Sequence, residues 1–562
     1  MRRRLLFRMM IGGALGASAL TFTPTGAQPA QPAAAATPAP APFEIFTEMR
    51  DGTRLAANVY LPAGEGPWPV ILTRTPYLKD GMFARPELAA KYTNAGYAFV
   101  VQDVRGKGNS EGFYAAFQND IEDGYDSVEG IGRESWSDGS VGMSGASAMG
   151  ITTNLAAMAN PPSLKAAYVV VAPNETFNTS FPGGVPKDAD NTGWLRRQGV
   201  AEEVIADQQA RGATRSIFTD RMGPGESIRY IDIPIWNVGG WYDIFNTGSV
   251  ENFEILQHEG ARGARGNQRL TMGPFGHGEL VGDLAYPGAD TLTRAARDPN
   301  AEIRWFDHWL KGADNGIMDE APVEYYLMAS ARKGAPSAKN GWRVSGDWPL
   351  SYREVRYYLA EDKSLSTDLP EEDSAKLSYK FDPKNPVKTY GGPNLTFEKG
   401  PDDQRQVGKR GDYLRFQTPV LDRDVVVAGP VTVELWGATD GPDTDFMAKL
   451  VDVYPDGYEA LVLDAPIRAR YRNGRGADDI EMMTPGAPAK MTIDLWNTAQ
   501  VFEAGHRIAV HITSSNSPRF DVNRNNGDTA DDPKLPRVAT NSIYMDADHP
   551  SALVLPVVYL ND

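Results

Sequence analysis

The sequence predicts an α/β domain that is followed by a domain built of β-strands alone. Between residues 43 and 344, short apolar runs bounded by turn residues alternate with helical stretches, which is typical of a doubly wound sheet. From about residue 345 to residue 562, six or more strand-like runs follow one another without helices, as in a jelly-roll or related sandwich. A length of 562 residues exceeds one ordinary domain and agrees with this division.

The composition excludes several classes of function. Hydrophobic residues make up 41% of the chain and charged residues 23%, as in a globular enzyme. The net charge of −17 argues against a nucleic-acid partner, because phosphates are bound by clustered Lys and Arg. The chain has no cysteine, which excludes disulfides and a cysteine nucleophile. It also has no His-x-x-x-His or Glu-rich ligand cluster, so we expect neither a metal nor a cofactor.

Residues 1–27 have the pattern of a signal peptide. Four arginines within the first eight residues precede an apolar stretch at 9–22, and small residues at 25–27 offer a cleavage site. The apolar stretch is short for a transmembrane helix. We therefore expect an exported protein, periplasmic or secreted, without a stable membrane anchor after cleavage. Residues 28–42 consist almost entirely of Ala, Pro and Gln and are predicted to be a solvated linker.

The elements of the α/β domain are predicted in order from residue 43. A hairpin with its turn at Asp51-Gly52 spans residues 44–61. Buried parallel strands are predicted at 69–73, 97–103, 140–143, 165–171, 233–238 and 268–272. Helices are predicted at 85–95, 120–132, 147–160 and 300–311. The alternation breaks at 172–231, which has the place of a helical cap insertion over the sheet, with one helix at 200–211.

The second domain reads as strands separated by turns. Apolar or alternating runs occur at 425–428, 431–437, 446–454, 459–471, 490–495 and 507–513. Pro455-Asp456-Gly457 is a hairpin turn between two of these runs. The predicted domain from residue 345 to residue 562 is therefore an all-β jelly-roll domain.

A nucleophile elbow is predicted at Ser147. Such an elbow needs a strand, a tight turn with small neighbours, and a helix that begins at once. Ser147 meets these conditions in the run GMSGASAMG, with Gly145 two residues before it and Gly150 three residues after it. The literal G-x-S-x-G lies elsewhere, at Ser110, but charged residues crowd it and no helix follows at once. We expect Ser110 to lie in a loop.

The histidine and carboxylate that would activate this serine follow it in the chain. In α/β-hydrolases the order is Ser, then Asp or Glu, then His. His277 sits in a loop after the strand at 268–272, and Asp243 directly follows the strand at 233–238. Ser147 would attack, His277 would take and return its proton, and Asp243 would fix the imidazole tautomer. Of the other histidines, His258 is expected to cap a helix and His308 to pack within one, whereas the remaining three belong to the β-rich region: His506, His511 and His549.

Several motifs together resemble the cocaine-esterase-like hydrolases of the X-prolyl dipeptidyl-peptidase superfamily, and the resemblance covers nearly everything after residue 42. The motifs are RTPY at 74–77, DVRGKGNSEG at 103–112, VGMSGASAMG at 141–150, GGWYD at 239–243, GPFGH at 273–277, FDHWLKG at 306–312, DFMAKLVDVYPDG at 445–457 and SSNSPRFDVNRNNG at 514–527. The resemblance implies an α/β-hydrolase domain with a C-terminal jelly roll, and Ser147, Asp243 and His277 as the triad. It also implies an oxyanion hole made by the Tyr77 hydroxyl and the backbone N–H of Ala148.

The chain departs from this family at the substrate side of the site. Ala148 stands where the family usually has Tyr, so the pocket wall loses a ring. The amino acid ester hydrolases of the superfamily carry acidic residues just after the triad Asp, where this chain has Ile244, Phe245 and Asn246. We therefore expect an uncharged acyl group. The residues predicted to line its pocket, with core packing as the alternative, are Trp241, Tyr242, Phe245 and Phe275.

Three functions are consistent with the sequence. The first is a serine hydrolase that cleaves a carboxylic ester, with a small-molecule ester or acyl compound as its substrate. The second is an amidase, β-lactam acylase or X-prolyl dipeptidyl-peptidase-type peptidase that uses the same triad. The third is a non-catalytic binding protein whose jelly roll carries the function. The complete predicted triad argues against the third, whereas the physiological substrate and the oligomeric state stay open.

Overall fold

The structure is a computed structural model. It describes residues 40–82, 86–173, 175–215, 225–280, 282–289, 298–528 and 535–559. The predicted signal peptide and nearly all of the predicted linker lie outside these residues. Within them, no helix is both long enough and apolar enough to cross a membrane.

Ten strands of the described chain form the first sheet, in the order β1-β2-β4-β3-β5-β6-β7-β8-β9-β10. The strands from β3 to β9 are mutually parallel, and antiparallel pairs close both edges, β2 with β4 and β9 with β10. Their bounds are β1 Phe43–Glu48, β2 Arg54–Tyr60, β3 Trp68–Thr75, β4 Ala98–Asp103, β5 Ser137–Ala146, β6 Leu164–Val170, β7 Ile235–Tyr242, β8 Arg269–Gly276, β9 Val323–Leu327 and β10 Gly341–Ser345. The predicted strands are all present, and β9 and β10 extend the sheet beyond them.

Eight α-helices belong to this part of the described chain. Their bounds are α1 Pro86–Thr93, α2 Asp120–Gly132, α3 Ala148–Met158, α4 Thr176–Ser180, α5 Asp188–Arg197, α6 Glu202–Arg211, α7 Asn246–Glu259 and α8 Ala301–Lys311. Most of the central strands are fully buried, as the continuous apolar runs predicted. In such sheets ligands bind beyond the carboxyl ends of the strands. Here the carboxyl ends of β5, β7 and β8 lie at that edge of the sheet.

The cap insertion between β6 and β7 contains α4, α5 and α6, followed by a 3₁₀ turn at Gly225–Tyr230. The sequence predicted only α6. Helix α5 was missed because its residues, DADNTGWLRR, include several poor helix formers and few apolar side chains. Its buried Leu195 packs into the main core cluster of the α/β domain, so tertiary packing stabilises this helix.

The remaining strands form two antiparallel sheets around one apolar core, consistent with the predicted jelly roll. One sheet has the order β12-β11-β21-β15-β20-β13, with β18 also paired to β15, and the other has the order β14-β19-β16-β17. The bounds are β11 Arg353–Leu359, β12 Leu365–Ser366, β13 Lys376–Phe381, β14 Tyr413–Gln417, β15 Val425–Thr439, β16 Asp445–Val453, β17 Glu459–Arg468, β18 Ala489–Phe502, β19 Arg507–Thr513, β20 Ala539–Tyr544 and β21 Ala552–Val557. The hairpin between β16 and β17 turns at Gly457, with a φ of 81°, as the Pro-Asp-Gly sequence predicted.

The β-rich domain packs against the α/β domain and its cap. The backbone of Met328, just after β9, exchanges two hydrogen bonds with Ala499 and Val501 of β18. In the cap, Val185 packs against Met447 and Phe520. The cap is therefore held between the sheet below it and the jelly roll beside it.

Candidate active site

Ser147 is the single residue between the end of β5 and the start of α3. Its φ of 56° lies in the left-handed region, which is costly for a serine and is typical of a strained functional turn. The turn is tight: a Cβ on Gly145 would lie 2.3 Å from the Met149 carbonyl oxygen, and a Cβ on Gly150 would lie 2.5 Å from the Ala172 Cβ. The small residues in the motif are therefore required by the geometry that raises Ser147 above the sheet.

The structure brings Ser147, His277 and Asp243 into one hydrogen-bonded chain. The Ser147 Oγ lies 2.9 Å from the His277 Nε2, and the His277 Nδ1 lies 2.8 Å from an Asp243 carboxylate oxygen. A carboxylate only accepts, so the Nδ1 of a neutral His277 carries the proton and its Nε2 can accept from the serine. Asp243 is fully buried, and its other oxygen accepts the Phe245 N–H at 2.8 Å.

The two loops that were predicted to present these side chains are shorter than the sequence indicated. Strand β7 continues to Tyr242, directly before Asp243, and β8 continues to Gly276, directly before His277. Both catalytic candidates thus stand directly after the last residue of a strand. The ring of Phe245 packs edge-on against the His277 imidazole, with the centroids 5.4 Å apart.

Ser110, in the literal G-x-S-x-G, has a different role. Its hydroxyl donates to the Asp103 carbonyl oxygen at 2.7 Å and accepts the Ala56 N–H at 2.9 Å, and the side chain is buried. The surrounding loop wraps closely around Asp103, since a Cβ on Gly108 would lie 1.9 Å from the Asp103 carboxylate. Ser110 is a structural residue of a loop, as the sequence predicted.

The other five histidines lie outside this hydrogen-bonded chain. His258 pairs with Asp347 at 3.1 Å near the end of α7, and His308 contacts the Ala313 carbonyl oxygen at 3.1 Å. His506, His511 and His549 belong to the β-rich domain; His511 is buried, and burial lowers its pKa well below the ordinary value. The described residues contain no group of three or more His, Asp or Glu side chains placed to hold a metal ion.

Tyr77 and Ala148 flank the serine, where an oxyanion hole was expected. Ala148 is the first residue of α3, and its N–H has no partner within the helix because the first turn leaves such groups unpaired. The Tyr77 hydroxyl interacts with the Ser147 side chain and accepts a hydrogen bond from the Trp194 Nε1 at 3.1 Å. Burial raises the pKa of Tyr77 above its ordinary value, which keeps the phenol protonated and able to donate.

A cavity of about 490 Å³ opens directly over Ser147 and His277. This volume suits a small molecule. Its apolar lining comes from three parts of the chain. The α/β domain contributes Tyr77, Phe117, Ile151, Ile244 and Phe245, and a loop of the β-rich domain contributes Leu395. The cap contributes Phe177, Phe181, Trp194, Leu195, Val204 and Ile205.

Of the four residues predicted to line the acyl pocket, only Phe245 does so. The prediction was wrong for Trp241, Tyr242 and Phe275, because all three are core residues and do not line the cavity. The Trp241 Nε1 donates to the Tyr326 carbonyl oxygen, and the Tyr242 hydroxyl donates to the Leu461 carbonyl oxygen. The reason is the extra length of β7 and β8, which places these rings on the faces of the sheet instead of in a loop over it.

The residues after Asp243 bring no charge into the cavity. Ile244 and Phe245 line it, whereas Asn246 is buried and donates to the carbonyl oxygens of Trp241 and Asn497. The carboxylates that do reach the cavity come from the cap, which the sequence could not place. Each of them has a partner: Asp188 accepts from Gln209, Asp207 pairs with Arg211, and Asp190 accepts the N–H groups of Leu395 and Thr396.

Two family profiles match the chain. The one described as X-Pro dipeptidyl-peptidase (S15 family) matches residues 51–220, and the one described as X-Pro dipeptidyl-peptidase C-terminal non-catalytic domain matches residues 315–554. Among curated proteins, a cocaine esterase from Rhodococcus sp. (strain MB1 Bresler) is 30% identical, with 92% of this chain and 98% of that protein covered.

Solved structures share the whole architecture. An aminopeptidase from the marine sediment archaeon Thaumarchaeota archaeon has a TM-score of 0.79 at 24% identity, with 92% of this chain and 96% of that chain covered. An α-amino acid ester hydrolase has a TM-score of 0.76 at 24% identity, with 94% and 99% covered. At such identities these likenesses show the fold.

Proposed function

Because the chain belongs to the cocaine-esterase-like hydrolases of the X-Pro dipeptidyl-peptidase (S15) family and is a serine ester hydrolase, we propose that it cleaves a carboxylic ester through an acyl-enzyme on Ser147. The observation that carries this proposal is the chain of short contacts from Ser147 through His277 to the buried Asp243, at 2.9 and 2.8 Å. It opens into a cavity large enough for a small ester.

In the first half of the reaction, the Ser147 Oγ attacks the ester carbonyl carbon while His277 Nε2 takes its proton. The imidazolium that forms is stabilised by Asp243, which accepts from the Nδ1–H on the other side of the ring. Collapse of the tetrahedral intermediate breaks the bond to the alcohol oxygen, and His277 returns the proton to that oxygen. The alcohol leaves, and the acyl group stays on Ser147.

In the second half, a water molecule replaces the alcohol. His277 takes a proton from this water as it attacks the acyl-enzyme, and then gives the proton to the Ser147 Oγ as the carboxylic acid departs. In both halves the negative oxygen of the intermediate would be held by the Tyr77 hydroxyl and the Ala148 N–H. Each such donor contributes on the order of 3 kcal/mol of transition-state stabilisation.

The substrate we propose carries an uncharged, apolar acyl group. Its support is the lining next to Ser147, where Phe117, Trp194 and Phe245 supply aromatic surface. The carboxylates at the cavity, Asp188, Asp190 and Asp207, each accept a hydrogen bond from a neighbour in this chain.

The match to an X-Pro dipeptidyl-peptidase profile favours amide cleavage as a second candidate function. The same triad can attack an amide, although the leaving amine needs its proton from His277 earlier in the reaction. Matched ester and amide substrates with one acyl group separate the two. We expect the ester to be turned over at least a hundredfold faster, and comparable rates would favour the amidase or peptidase.

The catalytic assignment is tested with Ser147→Ala and with Ser110→Ala as its matched control. We expect Ser147→Ala to abolish both hydrolysis of short aryl esters and labelling by a fluorophosphonate. Ser110→Ala removes a buried hydroxyl with two partners and should cost stability while retaining stoichiometric labelling. Persistent turnover in Ser147→Ala would refute the proposed function. A wild-type protein that turns over no ester would refute it as well and would favour a non-catalytic role.

We also propose that the protein is exported, periplasmic or secreted, with residues 1–27 removed. The support is the arginine-rich start and the apolar stretch that follows it. Fractionation of cells that express the full chain, with N-terminal sequencing of the product, tests this. A protein that keeps Met1 and stays in the cytoplasm would contradict it.

A further inference from the structure

Tyr77 alone does not determine where its hydroxyl proton points. A phenol has one proton to donate and lone pairs with which to accept, and rotation about the C–O bond can turn the proton towards either side. As an oxyanion donor, Tyr77 needs this proton to face the reacting carbonyl above Ser147. Some neighbour must therefore occupy the other side of the phenol oxygen.

Trp194, on cap helix α5, occupies that side. An indole Nε1–H can only donate, so its 3.1 Å contact with the Tyr77 hydroxyl oxygen uses a lone pair of the phenol and leaves the phenol proton for another acceptor. A hydrogen bond received by an O–H group also polarises it and makes it a stronger donor. The same contact therefore orients and strengthens the group expected to hold the oxyanion.

The position of Trp194 is itself fixed. Its ring stacks on Phe117, with the planes 7° apart and the centroids separated by 5.6 Å. It meets Tyr77 edge-on, at 85° and 6.4 Å. The neighbouring Leu195 is buried in the core of the α/β domain and anchors this turn of α5. A cap helix thus reaches into the catalytic centre.

We propose that Trp194 is a positioning residue that directs the Tyr77 hydroxyl at the oxyanion during acylation and deacylation. This inference rests on the proposed ester hydrolysis. Under this proposal the cap forms part of the pocket wall and also acts in the reaction, through the Nε1–H group of Trp194.

The central experiment is a double-mutant cycle with Trp194→Phe and Tyr77→Phe, which removes the indole N–H and the phenol hydroxyl while an aromatic ring remains at each position. We expect Trp194→Phe to lower kcat about tenfold with little change in KM, the usual effect of one hydrogen bond. Tyr77→Phe should lower kcat by about 10² to 10³. In the Tyr77→Phe background, the further effect of Trp194→Phe should be less than about twofold, because the group it positions is gone.

Trp194 also lines the cavity, so the readout must separate positioning from packing. We expect the loss in kcat for Trp194→Phe to be the same for acetyl, butyryl and benzoyl esters, whereas lost packing would grow with the acyl group. Trp309→Phe is the matched control, since Trp309 lies on α8 and its Nε1 has no hydrogen-bond partner among the described residues. Active-site titration with a fluorophosphonate counts the folded, competent molecules in every variant.

The outcomes are distinct. Multiplicative effects of the two substitutions, or an unchanged kcat in Trp194→Phe, would overturn the positioning role. An unchanged kcat in Tyr77→Phe would overturn it as well, because Trp194 would then act through nothing. None of these results bears on the role of Ser147, which Ser147→Ala tests by itself.

Discussion

The Asp190 carboxylate, on the cap helix α5, accepts the backbone N–H of Leu395 from the β-rich domain at 3.2 Å. Its second oxygen accepts the N–H of Thr396 at 2.9 Å. Since Leu395 lines the cavity over Ser147, this pair of hydrogen bonds completes the substrate pocket from a distant part of the chain. The β-rich domain therefore contributes directly to the site.

Substitution of Asp190 by Asn should affect large acyl groups selectively. Asn keeps the shape, but its NH₂ group faces one of the two N–H donors, so the segment of Leu395 and Thr396 loses a hydrogen bond of about 1 kcal/mol. We expect KM for a benzoyl ester to rise about fivefold, while KM for the acetyl ester changes less than about twofold. Steady-state kinetics on the two esters measure this, with the exposed Asp314→Asn as the control. Equal changes for both esters would contradict a role in the pocket wall.

The elbow should tolerate no side chain at Gly145. A Cβ there would lie 2.3 Å from the Met149 carbonyl oxygen, which is backbone and cannot rotate away. We expect Gly145→Ala to cost about 2 kcal/mol or more in the free energy of unfolding and to slow fluorophosphonate labelling of Ser147 at least tenfold. Gly346→Ala is the matched control, because a Cβ at Gly346 meets nothing within 4 Å. Wild-type labelling in Gly145→Ala would show that the strained turn is not needed.

The sequence predicted the strands, the elbow and the three catalytic candidates because each has a local signal. Apolar runs between turn residues locate parallel strands, and glycines beside a serine locate the turn. The same glycines misled the prediction elsewhere. The runs GGWY before Asp243 and GPFG before His277 resemble loops, yet both are fully buried ends of strands. This error put Trp241, Tyr242 and Phe275 into the pocket rather than into the core.

The actual walls of the pocket have no such signal. Trp194 lies in a stretch without helical periodicity, and Leu395 lies in a loop of the second domain, more than 200 residues further along the chain. Only the packing of the cap between two domains brings them together over Ser147. Tyr77 was placed by family resemblance alone, and its contact with Trp194 depends on that same packing.

Asp243→Asn should leave the fold intact and remove most of the activity. The Asp243 oxygen that accepts the Phe245 N–H would remain an oxygen in Asn, so the NH₂ group would face the His277 Nδ1. His277 would then carry its proton on Nε2, where it cannot accept one from Ser147. We expect kcat to fall about 10³- to 10⁴-fold, as measured by ester hydrolysis, with an unchanged unfolding midpoint. A loss below about tenfold would mean that Asp243 does not set the tautomer.

The burial of Lys187 leads us to expect that the free energy of unfolding depends on pH. Lys187 is buried directly before cap helix α5, and burial lowers its pKa to about 8, with Arg519 acting in the same direction. Asp190, Asp464 and Asp243 act in the opposite direction. Between pH 8 and the ordinary value of 10.5, the unfolded chain binds a proton at this lysine that the folded chain does not. By linkage, the contribution of Lys187 to stability rises with pH across this window, by a total of about 3 kcal/mol.

Lys187→Met tests this sign directly, since Met keeps the apolar stem and removes the charge. Urea denaturation of both proteins from pH 7 to pH 10.5 gives the difference in the free energy of unfolding, wild type minus variant. Groups common to both proteins cancel in this difference, which should increase with pH because the cost of burying a charged lysine disappears as it deprotonates. The exposed Lys384→Met controls for the loss of one positive charge. A difference that stays constant with pH, or falls, would show that Lys187 keeps its proton in the folded protein throughout this range.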